Sequence, residues 1–345
     1  MIEEVNRKHQ RQYVIALVTM VVITIAIFLL SLMVGQYGLM SPGDLYKAIA
    51  NYCGAHYELP RSYENVVGLI RLPRTLAAFL VGAALSIAGL VYQNTFNNKL
   101  VSPDILGVSA GACVGAGIAI LLNLGGALVS TFAFVVGFFA VILALLLPVF
   151  FKNRSNITLV LSGIIVGTFM NSIIGLLKFM ADRDEKLAAI TFWMMGSVSG
   201  ITMTEVLSIL PLIAIPIAVL LLMNHRIDVV SLGIEEAESL GINYKLNRLV
   251  IVVCSTILTA ASISISGNIG WVGLVVPHIA RALVGNRTKH SMPLALLFGG
   301  TFMMIVDTLS RSVAKEDIPL SIITGILGAI IYTVVLVKKG RNIND

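Results

Sequence analysis

Residues 105–151 read ILGVSAGACVGAGIAILLNLGGALVSTFAFVVGFFAVILALLLPVFF, 47 consecutive positions without Asp, Glu, Lys or Arg. A hydrocarbon core about 30 Å thick needs about 20 helical residues to cross it. The run is too long for one crossing and suits two, hinged at Asn123-Leu-Gly-Gly126. Working outward in both directions, comparable apolar runs fall at 14–35, 74–94, 104–123, 127–151, 157–179, 204–224, 247–266, 269–284, 292–311 and 318–337. A closed barrel is the other way to satisfy every backbone group in lipid, but it shows short alternating segments. These runs are long and continuously apolar. The sequence therefore predicts an all-α, polytopic membrane protein with about ten transmembrane helices in a single domain spanning residues 1–345.

Composition agrees. Of 345 residues 57% are hydrophobic and 12% charged, against about a quarter charged in soluble domains. Ten spans place both termini on one side. The loops of that side hold Arg7, Lys8, Arg11, Lys99, Lys152, Arg154, Arg226, Lys245, Arg248, Arg281, Arg287, Lys289, Lys338, Lys339 and Arg341, fifteen of the 24 basic residues. Excess Lys and Arg mark the cytoplasmic face, so both termini are read as cytoplasmic. The net charge of +6 comes from these juxtamembrane islands, without interleaved aromatics, so the expected surface partner is membrane lipid and not nucleic acid. The run Val14–Val34 follows Arg7, Lys8 and Arg11; at 21 residues, with no small-x-small cleavage site after it, it reads as a retained first helix and not a signal peptide. Cys53, Cys113 and Cys254 lie far apart and give neither a disulfide framework nor a metal-ligand spacing.

Chemistry is hard to find. The chain contains no GxxxxGK[ST] or HExxH and no paired carboxylate set. Its one acidic cluster, Asp182-Arg-Asp-Glu185, falls in an outer loop, where solvation explains it. A membrane-embedded enzyme is therefore disfavoured, and no metal or resident cofactor is expected. A secondary carrier should bury ionisable residues near the midplane; only Asp307 and Lys178 approach that description, both toward helix ends. Gly107, Gly111 and Gly115, like Gly163 and Gly167, recur every four residues, a spacing that lets helix backbones approach closely in lipid. His278 follows Pro277 in the eighth span without a second ligand at helical spacing, and Met194, Met195, Met303 and Met304 read as packing.

The inner loop Ile227-Asp-Val-Val-Ser-Leu-Gly-Ile-Glu-Glu-Ala-Glu-Ser-Leu-Gly-Ile-Asn243 stands apart. A short helix over Glu235–Leu240, bounded by Gly233 and Gly241, has an apolar face of Leu232, Ile234, Ala237 and Leu240. Helices that lie on membranes carry Lys and Arg on the polar face; this one carries Glu235, Glu236 and Glu238. An acidic amphipathic helix of that kind suits a groove on a partner protein.

The segment Glu235-Glu-Ala-Glu-Ser-Leu-Gly241 resembles the EAAxxxG coupling motif of ABC importer permeases, with Glu236 in place of its first alanine. Four more stretches are similar to the FecCD family, the permeases for ferric siderophores, haem and vitamin B12. They are Arg71-Leu-Pro-Arg-Thr-Leu-Ala77, Ser102-Pro-Asp-Ile-Leu-Gly-Val-Ser-Ala-Gly111, Gly267-Asn-Ile-Gly-Trp-Val-Gly-Leu-Val-Val-Pro-His-Ile-Ala-Arg281, and Asp307-Thr-Leu-Ser-Arg311 with Pro319-Leu-Ser-Ile-Ile-Thr-Gly325. They occur in family order across residues 14–338. The chain departs at Asn97-Asn-Lys-Leu100, where the family has Asn-Pro-Leu-Ala.

The resemblance implies a permease in a prokaryotic plasma membrane, paired with a second, identical or homologous permease subunit. Two cytoplasmic ATPase subunits would carry ATP and Mg, and a substrate-binding protein would dock from outside. Alternating access would move a metal chelate, a ferric siderophore first, with haem or cobalamin as alternatives. By the same resemblance Gly233, Glu235, Glu236, Ala237, Leu240 and Gly241 couple to the ATPase. Arg71, Arg74 and Arg311, which defy the inside-positive bias, would meet acidic residues of the binding protein, Arg being suited to bidentate carboxylate pairing. Snorkelling, or for Arg311 an i,i+4 pair with Asp307, is the competing reading. Gly107, Gly111, Gly115, Gly270, Gly273 and Pro277 are assigned to helix packing and the pathway.

Overall fold

A computed structural model of the chain describes residues 2–35, 38–52, 54–150 and 156–344; Cys53, Lys152 and Arg154 lie outside them. Each apolar run becomes a helix. In chain order these are α1 (Ile2–Met33), α2 (Pro42–Tyr52), α3 (Arg61–Asn65), a π-helical segment (Val66–Arg71), α4 (Leu72–Thr95), α5 (Val108–Leu121), α6 (Gly126–Phe150) and α7 (Asn156–Met180). There follow α8 (Lys186–Met195), α9 (Met203–Leu222), α10 (Asn224–Val230), α11 (Ile234–Ser239), α12 (Tyr244–Ser266), α13 (Val272–Val284), α14 (Thr288–Ser310) and α15 (Leu320–Asn344). No strand occurs among the described residues. Among the described residues seven helices are long and apolar enough to span a membrane, and α5, α13 and α15 supply shorter apolar stretches.

The ten expected spans correspond to α1, α4, α5, α6, α7, α9, α12, α13, α14 and α15. At 13 and 14 residues, α13 and α5 rise about 20 Å. Part of the irregular backbone beside them is sheltered by protein, the condition under which lipid tolerates it. Pro103, ahead of α5, packs on Gly273 of α13, and Leu106 is fully buried.

Helix α4 is the hub, packed against α14, α12, α13 and α9. Its sequence explains why: Ala77, Ala78, Gly82, Ala83, Ala84, Ala88 and Gly89 are all buried and hold the neighbouring backbones close. A Cβ at Gly82 would overlap the Gly299 carbonyl of α14, and one at Gly89 the Gly273 carbonyl of α13. Without a hydrophobic driving force between helices in lipid, such close van der Waals approach is what holds them together.

Gly111 and Gly115 do the same for α5 against α6: a Cβ at Gly111 would lie 2.6 Å from that of Ala140 and 2.8 Å from the Val136 carbonyl oxygen, and one at Gly115 would overlap the Phe132 carbonyl. Gly107 precedes α5 at φ +82°, against Gly167 of α7. Gly273 and Pro277 are buried in α13. Gly270 corrects the expectation of packing: a side chain there would meet nothing within 4 Å.

The short helices α2, α3, α8 and α10 were not foreseen. Helix α2 is short and amphipathic, buries Leu45 and Ala48, and starts with the Asp44 amide donating to Ser41 Oγ at 3.1 Å. Helix α8 follows the exposed Asp182–Glu185 cluster, and the Lys186 ammonium donates to the Leu121 carbonyl at the end of α5, 2.9 Å away.

Candidate functional site

On the cytoplasmic face, α10 and α11 form the coupling candidate. Ile227, Val229 and Val230 bury one side of α10 in the main core. Asp228 faces α14, where its carboxylate accepts from the Thr288 amide at 3.1 Å and from the Thr288 hydroxyl. The chain then turns at Gly233, whose φ of 123° and ψ of −179° belong to a region open essentially only to glycine.

One turn and a half of helix later, α11 ends in a Schellman motif. The Ile242 amide donates to the Ala237 carbonyl at 2.9 Å and the Gly241 amide to the Glu238 carbonyl at 3.0 Å, with Gly241 at φ +72°. Asn243 then caps α12, its side-chain oxygen accepting from the Leu246 amide at 3.0 Å. The two glycines and this cap fix where α11 stands.

What α11 presents follows from that fixing. Ala237 is 0% exposed and anchors the helix in the core. The four-residue apolar face expected from the sequence is thereby divided: Ala237 points inward, whereas Leu232, Ile234 and Leu240 stay exposed beside Glu235, Glu236 and Glu238. Three exposed apolar and three exposed acidic side chains therefore share this short segment of the cytoplasmic face.

On the outer side, Arg71, Arg74 and Arg311 correct the sequence reading. They are only 3%, 6% and 5% exposed. The second span starts earlier than expected, so Arg71 and Arg74 lie inside a continuous helix beginning at Arg61. Pro73 has no N–H to give to an α-helical ladder; the π segment just before it, where the Leu72 amide bonds the Val67 carbonyl, absorbs the break.

Their guanidinium groups turn inward. Arg71 donates to the carbonyls of Leu32, Met33 and Gly38 at 2.8–3.0 Å, clamping the end of α1. Arg74 lies 2.7 Å from both Asp307 and Asp317. Arg311 donates to the Ser31 carbonyl and hydroxyl at 2.5 and 2.7 Å and sits 3.5 Å from Asp307. Arg74 Nη2 and Arg311 Nε have no hydrogen-bond partner among the described residues, but they are buried with the rest of the cluster, so none of the three side chains presents an exposed donor to an incoming carboxylate.

The network ties α1, α4, α14 and the outer loop before α15 together. Asp307 at its centre is fully buried. Burial opposes charge on Asp317, but the Arg74 guanidinium outweighs it and holds that carboxyl below its usual range. Sequence reasoning saw the Asp307–Arg311 spacing; it missed Asp317, Ser31 and Ser199, which come together only across 125 residues or more of chain or through loops with no pattern of their own.

The remaining candidates settle into packing. His278 Nδ1 lies 3.0 Å from the Leu274 carbonyl, an acceptor that requires the proton on that nitrogen, and its ring meets Tyr332 edge-on at 5.5 Å. Met303 and Met304 are fully buried. Cys113 and Cys254 are free thiols in the interior.

Comparison with known proteins places this architecture. The model of the FecCD transport family matches residues 23–338. The molybdate import system permease protein MolB of Haemophilus influenzae is 35% identical over 316 residues, 90% of this chain and 92% of its own length. A Helicobacter pylori protein described as a probable iron chelatin transport system permease is 37% identical, covering 79% of this chain and 83% of that one. A solved metal-chelate type ABC transporter in an inward-facing conformation superimposes with a TM-score of 0.84 at 32% identity, over 93% of this chain and 98% of its own. The chain belongs to the FecCD transport family, as a multi-pass membrane permease subunit of an ABC importer.

Proposed function

We propose that this subunit moves a ferric chelate across a prokaryotic plasma membrane, paired with a second permease subunit and driven by a separate ATPase that docks on α11. The observation that carries the reading is the exposed surface of α11, where Leu232, Ile234 and Leu240 are exposed alongside Glu235, Glu236 and Glu238 while Ala237 and two glycines hold the helix in place. Such a surface suits an amphipathic groove on a partner, and the chain has no phosphate-binding loop of its own. The same rigid mount carries force in either direction. A substrate-binding protein would dock on the outer loops, with the buried arginines positioning those loops and not contacting it.

The ferric reading draws on the iron chelatin relative. Molybdate is the second cargo reading, favoured by the relative matching 90% of this chain; haem and cobalamin stand behind both. The test is ATP-driven uptake into liposomes holding this permease with its cognate ATPase and binding protein. Accumulation of radiolabelled ferric siderophore without molybdate supports the proposal. Molybdate uptake alone gives the second reading, and uptake independent of ATP refutes the ABC assignment of power.

A further inference from the structure

A polar cavity of about 490 Å³ opens on the cytoplasmic side between the end of α4, α10 and the end of α13. Its wall includes Gln93, Asn97, Lys99, Asp228, Ser231 and Arg281. Arg281 is the unusual member. It is 7% exposed, and its Nη2 donates to the Gln93 side-chain oxygen. Its Nη1 is buried and has no hydrogen-bond partner among the described residues. Gln93 is itself fixed, because its amide donates to the carbonyls of Val101, Gly273 and Leu274 at 3.2–3.3 Å.

Asp228 does not neutralise this charge. Its carboxylate is taken by the Thr288 amide and hydroxyl, and no ion pair joins it to Arg281 among the described residues. A buried guanidinium held by a neutral amide, with a donor unspent and Lys99 on the same wall, is incomplete without an anion. Arginine's planar fork is matched to oxyanions, and the cavity has room for one tetrahedral oxyanion with its hydration.

We propose that this cavity binds a phosphate-type oxyanion, with Arg281 as the principal ligand and Lys99 as the rim charge. The source is free inorganic phosphate or the phosphate of an anionic lipid headgroup reaching in from the inner leaflet; the chemistry is shared. Because Asp228 and Ser231 belong to the segment that leads into α11, occupancy would set the stance of the coupling loop. That consequence rests on the coupling reading above. The binding itself does not, and it is measured on the permease without its ATPase.

The test uses the full chain in phosphatidylcholine nanodiscs, with thermal unfolding followed as inorganic phosphate is added against chloride at equal ionic strength. The expected result is a saturable rise in Tm. Arg281→Gln should weaken the apparent affinity about tenfold or more, as loss of a charge-assisted hydrogen bond does. Lys99→Glu, at an exposed position, should weaken it roughly fivefold. A second arm replaces part of the lipid with phosphatidylglycerol and omits phosphate. Stabilisation by that lipid, lost in both variants, assigns the headgroup as the source and supports the site. If neither probe shifts the wild type beyond chloride, or if the shift survives unchanged in Lys99→Glu, the proposal fails.

Discussion

Asp307→Asn should be the most damaging charge removal in the molecule. The carboxylate is fully buried, 2.7 Å from Arg74 Nε and 3.5 Å from Arg311 Nε. After the change Arg74 keeps Asp317, whereas Arg311 loses its ion-pair partner and keeps its hydrogen bonds to Ser31, with Asp317 acting on it only at longer range. Removing one partner from a buried ion pair costs about 3–5 kcal/mol, because the other charge stays behind uncompensated. With an unfolding entropy of about 2.1 cal/mol/K per residue, 345 residues convert that to a Tm drop of roughly 4–7 °C. Asp317 is 25% exposed, so Asp317→Asn is discounted for solvent screening to at most about 1 kcal/mol, or about 1 °C.

The assay is thermal unfolding in detergent with basal oligomeric state checked at each point. A double variant, Asp307→Asn with Arg311→Met, should recover part of the loss, since a buried apolar replacement relieves the unpaired charge. Equal shifts for Asp307→Asn and Asp317→Asn, or a double variant as unstable as the sum of its parts, would refute the view that this cluster is a buried, mutually dependent network.

Three further outcomes are expected. Gly241→Val forces a β-branched residue to φ +72°, a strain of about 1–2 kcal/mol confined to the end of α11; ATP-driven uptake should fall sharply while membrane insertion is unchanged, and normal uptake would remove α11 from the coupling role. Gly82→Val drives a side chain into the Gly299 carbonyl, an overpacking cost of at least about 1–3 kcal/mol, and should reduce the monodisperse yield; Gly270→Ala, which meets nothing within 4 Å, is the silent control within about 0.5 kcal/mol. Because the folded-state pKa of Asp317 is lowered, its contribution is present above the ordinary carboxyl value of about 3.9 and fades as pH falls through the lower folded value. The Tm difference between wild type and Asp317→Asn should therefore be constant from pH 5 to 7 and vanish only in stronger acid; a loss near pH 6 would contradict it.

The sequence alone determined the spans, because transfer of apolar surface into lipid depends on composition within a window of about 20 residues and on little else. It also determined α11: Gly233 and Gly241 mark its ends by their backbone freedom, a property of the residue type, and its acidic residues are a local pattern. Family order in the motifs carried the rest of the assignment. The amphipathic α2 is too short for a membrane signal, and the start of the second span was hidden by Pro73, which ordinarily ends a helix but here follows a π turn.

Only the tertiary structure decided what the arginines do. Arg71, Arg74 and Arg311 break the inside-positive pattern, and read along the chain they look like outward-facing charges. Their partners are Leu32, Met33, Asp307, Asp317 and Ser31, brought together by the packing of α1, α4 and α14. The same holds for Arg281, whose burial against Gln93 is a contact between two helices 188 residues apart in sequence. Hydropathy is additive along a chain and so can be read from it. The fate of a charge depends on which groups surround it in space, and that is settled only when the helices pack.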